Sequence, residues 1–337
     1  MVTPIAFGLL LAASSSFKCA AITTAQTPAW TRQNSGTLAW LHSLYFLDQN
    51  RGWAVGSRGT MLITSNGGKT WEHAPRFTED IFRDIYFVDE NNGWLVCERN
   101  VYDLKTKEES RTYLMTTTNG GEFWSRVNMK GTDVDSRLVR ALFGSNGRVW
   151  AFGEGGTIYS TRDSGGSWTK LTVPTRNLLL GGTFIDDDRG WVVGAGATII
   201  QTSDGGDTWH RSRLAGAEGI RFTATSFVDN RLGWAVGSGG TIYRTTNGGR
   251  IWTQQKSGVV ADLLDVKFLD AMEGWAVGAE GTVIYTNDGG MNWTQQKANT
   301  GHPLERVFFV DRTHGWAVGF GGTIVSFSQA EAPQMRR

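Results

Sequence analysis

A Gly-Trp-Ala-Val-Gly-like string recurs seven times along the chain, with its tryptophan at Trp53, Trp94, Trp150, Trp191, Trp234, Trp275 and Trp316. Most steps are 41 residues, one is 43, and Trp94 to Trp150 is 56. Repeats of that length are single supersecondary units that bury their apolar faces only against neighbours, so a solenoid, propeller or array is implied. A second tryptophan follows 18 residues after the first at Trp71, Trp168, Trp209, Trp252 and Trp293, and 30 residues after it at Trp124. The second copy therefore carries a 12-residue insertion. The seventh copy ends before its second tryptophan, but Trp30 lies 23 residues before Trp53, the usual spacing from a second tryptophan to the next first one.

Each copy reads as four short strands. In the sixth, residues 263–269, 274–277, 282–286 and 293–296 form strands A to D, separated by Gly- and Asx-rich hairpin turns. The prediction is an all-β chain: a seven-bladed β-propeller with four-stranded antiparallel blades. Its ring is closed by the N-terminal strand, which removes an aggregation-prone edge. The propeller spans residues 26–328 and residues 329–337 are a loose tail.

Residues 5–13 are apolar, too short for a membrane span and suited to a signal peptide. Cleavage after Ala25 leaves an exported mature chain with no integral membrane segment. Ser16-Phe17-Lys18 before Cys19 makes a poor lipoprotein box. That leaves Cys97, which stands in a strand where other copies have glycine and reads as a small core residue. Lysine plus arginine total 33 against 32 acids, a balance that argues against wholesale nucleic-acid binding. The five histidines and two cysteines form no zinc motif, and no cofactor is expected.

Before each second tryptophan lies a Thr-x-Asx-x-Gly-x-x-Trp string, as in Thr64…Asn66…Gly68…Trp71 and Thr202…Asp204…Gly206…Trp209. The Asx side chain accepts from turn amides ahead of it and the tryptophan packs between sheets, so these boxes are read as structural. Gly-x-Gly-Gly strings such as residues 237–240 recur at one place per blade with no helix after them, so they are hairpin turns and not phosphate loops.

Gly-Trp-x-Val-Gly with Asx-Gly-Gly-x-x-Trp resembles the Ycf48/HCF136 group of Asp-box propellers, most closely in residues 52–60 and 64–71. The resemblance implies a photosystem II assembly factor of the thylakoid lumen or periplasm. Such a factor is a non-enzymatic scaffold that binds a membrane-complex subunit. It also implies an arginine patch, with Arg58 in the matching turn. A plain monomer is expected.

Copies differ most in their D–A and B–C loops, which share one face, so binding is expected there. Arg83, Arg137, Arg140, Arg221 and Arg306 stand near the starts of inner strands and, with Arg58, define a candidate basic ring around the channel mouth. Asp84, Asp265, Glu154, Glu280 and Glu305 are the acids available to neutralise it. The alternative is ordinary surface ion pairing. The insertion, residues 98–112, contributes Tyr102, Lys105 and Lys107. It is either a solvated hairpin or a partner-contacting arm. Trp40, the one tryptophan outside the repeat, joins Phe77, Phe82, residues 178–180 and Phe320 as either core or an exposed apolar patch.

A sialidase-type glycosidase is the competing reading, because those enzymes carry Asp boxes; a glycan-binding module is another. Sialidase chemistry needs an arginine triad, an acid/base carboxylate and a Tyr–Glu nucleophile pair. No tyrosine has an evident glutamate partner in the sequence.

Overall fold

The computed structural model describes residues 29–104, 106, 109–129, 136–212, 214, 217 and 219–328. The expected signal peptide, Cys19, Lys105, Lys107 and the C-terminal tail lie outside the described residues. Among the described residues no helix is long and apolar enough to cross a membrane.

Seven four-stranded antiparallel sheets stand around a central axis. The innermost strands A are Leu41–Phe46, Ile81–Phe87, Leu138–Phe143, Leu179–Phe184, Phe222–Phe227, Leu263–Phe268 and Leu304–Phe309. Blade 7 takes its outermost strand from the N-terminus: Ala29–Gln33 pairs antiparallel with Ile324–Ser328, from Ala29 opposite Ser328 to Gln33 opposite Ile324. At five residues it is longer than the two- or three-residue D strands of the other blades. The Gln33 amide also ties the closing strand to blade 1, donating to Gly67 O at 3.1 Å and accepting from Trp71 Nε1 at 2.9 Å.

The blades are joined by aromatic stacking. The phenylalanine ending strand A lies flat on the first tryptophan of the preceding blade: Phe46 on Trp316 at 3.6 Å, Phe184 on Trp150 at 3.7 Å, Phe227 on Trp191 at 3.6 Å. Its own blade's second tryptophan meets it edge-on. Trp30 does this for blade 7, 6.0 Å from Phe309 at 85°, as the spacing predicts. Each such pair adds roughly 0.5–1.5 kcal/mol to the area it buries.

The stack needs a glycine opposite the phenylalanine, since a Cβ on Gly52 would sit 2.4 Å from the Phe46 ring. Blade 3 has Val149 there, paired with Phe143. Phe143 accordingly lies tilted at 48° to Trp94 and stacks instead on Tyr86 in the bore, 4.2 Å away.

All six boxes make one hydrogen-bond set. The threonine hydroxyl donates to the Asx Oδ1 and accepts from the glycine amide, and the Asx Oδ1 accepts the amide four residues on. These boxes and the A–B turns occupy one end of the ring; the D–A and B–C loops occupy the other.

Candidate protein-binding face

In every blade, strand A is bulged just after its entry at the D–A/B–C end, between Leu41 and Ser43 in blade 1 and at the matching place in the others. A bulge leaves one residue unpaired and re-aims its side chain. Glu305, His42 and Arg83 hold that position in blades 7, 1 and 2 and form a polar arc. Val139, Leu180, Thr223 and Leu264 complete the circle.

Blade 2 departs from the repeat. Its B and C strands run on into the insertion, ending at Glu98 and restarting at Thr112. Ile81 pairs with Glu98 and Phe82 with Cys97, so strand A also starts earlier. Elsewhere the glycine at the position of Cys97 lies against backbone: a Cβ on Gly56 would sit 2.0 Å from Trp40 O. Cys97 is buried and unpaired with another cysteine, as expected of a core residue.

The extension places the Glu98 carboxylate, with 4% of its side chain exposed, among three arginines. Arg83 Nε is 2.5 Å from Oε2, Arg137 Nε is 2.9 Å from Oε1 and Arg111 Nη2 is 3.1 Å from Oε1. Arg137 and Arg111 also reach Glu154, at 3.6 and 3.8 Å. Burial pushes the Glu98 carboxyl up, but Arg83 and Arg137 outweigh it and hold it below the usual glutamate range. The arginines keep 20–33% of their side chains exposed, so they offer donors to the surface.

Trp40 lies beside this cluster, 40% exposed. Its indole donates to Glu305 Oε1 at 2.9 Å, stacks on His42 at 5.4 Å and meets Phe320 edge-on at 5.3 Å. Burial raises the Glu305 carboxyl against the opposing pull of Trp40, Arg83 and Arg140. Burial, with Arg83, drops the His42 imidazole to about 3, so it is neutral at physiological pH. Phe77 and Phe320 are exposed like Trp40, whereas Phe82 and Leu179 are core.

The candidate arginines do not form one ring. Arg83 and Arg137 meet at Glu98. Arg140 and Arg306 point into the bore, where they line a cavity of about 350 Å³. Arg58 and Arg221 stand on exposed loops, near Glu79 at 4.0 Å and Asp262 at 3.4 Å. Strand twist and the bulge separate side chains that are close in repeat position. Tyr102 is exposed on a short 3₁₀ turn, Val101–Asp103, of the insertion. The sequence reading missed Glu98 and Arg111 as partners. The available signal was an acid four residues after the first tryptophan in two successive blades, Glu98 and Glu154, beside arginines at the adjoining strand starts.

One tyrosine does have a glutamate partner, contrary to expectation. Tyr285 hydroxyl lies 3.3 Å from Glu273 Oε1, with Arg312 Nε 3.6 Å from the same carboxyl group. The pair sits at the Asp-box end, away from the Glu98 cluster. Burial and Glu273 raise the Tyr285 phenol, the opposite of an activated nucleophile. Among the described residues no three or more His, Cys, Asp or Glu side chains converge to hold a metal.

The family model for photosynthesis system II assembly factor YCF48 matches residues 22–165, 166–258 and 255–328. Among solved structures, YCF48 from Cyanidioschyzon merolae superposes with a TM-score of 0.72 at 21% identity, over 89% of this chain and 99% of that one. A structure described as YCF48 bound to D1 peptide matches with the same score and identity, over 97% of its chain. A GH74 xyloglucanase from Xanthomonas campestris matches at 0.69 and 13% identity, over 91% of this chain and 55% of that one. At these identities the superpositions speak for the fold. No curated protein matches by sequence.

Proposed function

The chain belongs to the photosystem II assembly factor YCF48 family, and from that premise we propose that it is an assembly factor whose D–A/B–C face holds a segment of a photosystem membrane subunit. The observation that carries the choice of face is the group of three arginines gathered on Glu98 next to exposed Trp40. Fixed guanidinium donors beside an aromatic plate suit a peptide with acidic and apolar side chains. The opposite end repeats one box six times. The reading includes an exported monomer, in periplasm or thylakoid lumen, that acts by binding and without catalysis. A photosystem subunit is supported by the relative bound to D1 peptide. A glycosidase is less well supported, because the Tyr285–Glu273 pair lies at the end remote from the arginine cluster.

The test is fluorescence anisotropy with labelled D1 peptide on the mature protein. Arg111→Ser with Arg137→Ser is expected to weaken binding about tenfold or more, as for loss of two charge-assisted contacts. Arg250→Ser, on an exposed Asp-box turn, is expected to leave it unchanged. Peptide binding indifferent to the Arg111/Arg137 change refutes the face, and absence of binding by the native protein refutes the partner.

A further inference from the structure

Below the rim, the residue that follows the bulge in strand A lines the bore in blades 1, 2, 3, 6 and 7: Ser43, Asp84, Arg140, Asp265 and Arg306. Arg140 is more than nine-tenths buried there, and its Nε and Nη2 have no hydrogen-bond partner among the described residues. A buried guanidinium with unmade donors is among the costlier arrangements a fold can keep.

The obvious partners are committed elsewhere. Asp84 Oδ1 accepts from Ser43 Oγ at 2.7 Å and from the Ile85 amide at 3.2 Å. Asp265 Oδ2 accepts from the Val307 amide of the next blade at 3.1 Å. Both carboxylates are near enough to feel Arg140, yet neither forms an ion pair with it. Arg306 and Lys267 line the same cavity, and Arg306 Nη1 finds only Glu305 O at 3.4 Å. Lys267 reaches water along the bore while protein surrounds it. This desolvation holds its ammonium below the usual range against the pull of Asp265.

At the rim, Arg83, Arg111 and Arg137 are matched by Glu98, Glu154 and Glu305. In the bore, Arg140, Arg306 and Lys267 face Asp84 and Asp265, and Glu305 acts on Arg140 as well as on Arg83, so across rim and bore together six cations meet five acids. One negative charge would balance the bore and satisfy the Arg140 donors.

We propose that the bore binds a small monovalent anion, a halide or a formate-sized carboxylate, with Arg140 as its principal donor and Arg306 and Lys267 completing the positive field. The cavity of about 350 Å³ holds such an ion together with water.

The test uses the full mature chain purified in methanesulfonate. Bromide-soaked crystals are expected to show an anomalous peak beside Arg140. At constant ionic strength, bromide or formate replacing methanesulfonate is expected to raise the melting temperature saturably. A response to either ion supports the site and tells halide from carboxylate. Arg140→Gln is expected to abolish the response. Should that variant fail to fold, Arg306→Gln and Lys267→Gln are each expected to weaken the apparent anion affinity about tenfold. Water alone beside Arg140, melting indifferent to anion identity, or an anion response unchanged in the folded variants overturns the proposal.

Discussion

Replacing Glu98 with glutamine tests whether the arginine cluster is held by charge. The substitution keeps the shape and one acceptor oxygen but removes the charge that three guanidiniums share at 2.5 to 3.1 Å. At an effective dielectric of about 20, each charge pair about 4 Å apart is worth about 4 kcal/mol before desolvation is subtracted. Breaking a buried pair costs about 3–5 kcal/mol. Arg83, Arg111 and Arg137 keep 20–33% exposure and can turn partly to water, so the lower end applies, about 3 kcal/mol. For a domain this large that is a fall in melting temperature of roughly 5 °C, read by calorimetry at pH 7. The pH dependence has a definite sign. Glu98 is held below its ordinary value of 4.5, so its contribution is complete above that pH and fades as pH falls through the lower folded value. The native-minus-variant difference in stability should therefore shrink on acidification. A difference below about 0.5 kcal/mol at pH 7, the scale of an ordinary surface change, refutes the charge argument. So does a difference that does not shrink with acid.

Three further outcomes follow from the geometry. Trp30→Ala removes a fully buried indole from the closing strand and is expected to cost about 3–5 kcal/mol in chemical denaturation, a large-to-small core loss. Gly56→Ala drives a Cβ to 2.0 Å from Trp40 O and is expected to lower the melting temperature by several degrees, about 2 kcal/mol or more, whereas Cys97→Ala in the unclashed blade 2 should cost about 1 kcal/mol or less. Asp204 is held at about 2 by the Thr208 hydroxyl and amide, so its contribution is present above 3.8 and lost as pH falls toward 2. Asp204→Asn, copying Asn66, Asn119 and Asn247, should match native stability at pH 7 in thermal melts and lose less of it between pH 4 and 2.

The fold was legible because its determinants are written as a period. Each first tryptophan answers to a contact one blade away, and each box and strand-edge glycine to one within its own blade, so spacing alone carries blade number, strand order and the closing role of Trp30. Even the exception has a local cause, since Val149 in place of glycine displaces Phe143 from its tryptophan. The proposed binding face is not periodic, and there spacing misleads. Arg83, Arg137, Arg140 and Arg306 look equivalent along the chain, yet a bulge of one residue sends Arg83 to the rim while the residue after it, Asp84, enters the bore. Which arginines meet depends on Glu98, whose place follows from two extra strand residues in blade 2 and from the absence of the glycine contact that Cys97 replaces.

The same break in symmetry relates structure to function. A ring of equal blades presents equal mouths, and an identical ring of side chains has no preferred direction for an extended peptide. Lengthening the B and C strands of one blade concentrates three guanidiniums on a single buried carboxylate. The closing strand leads into Trp40 at the start of blade 1, two blades from Arg137, with His42 and Arg83 between them. Charge at one end of the arc and aromatic surface at the other give the face a direction. On the proposed reading, directional recognition on this ring requires both the insertion and the closure, and a chain with seven unmodified copies would keep the fold and lose the proposed site.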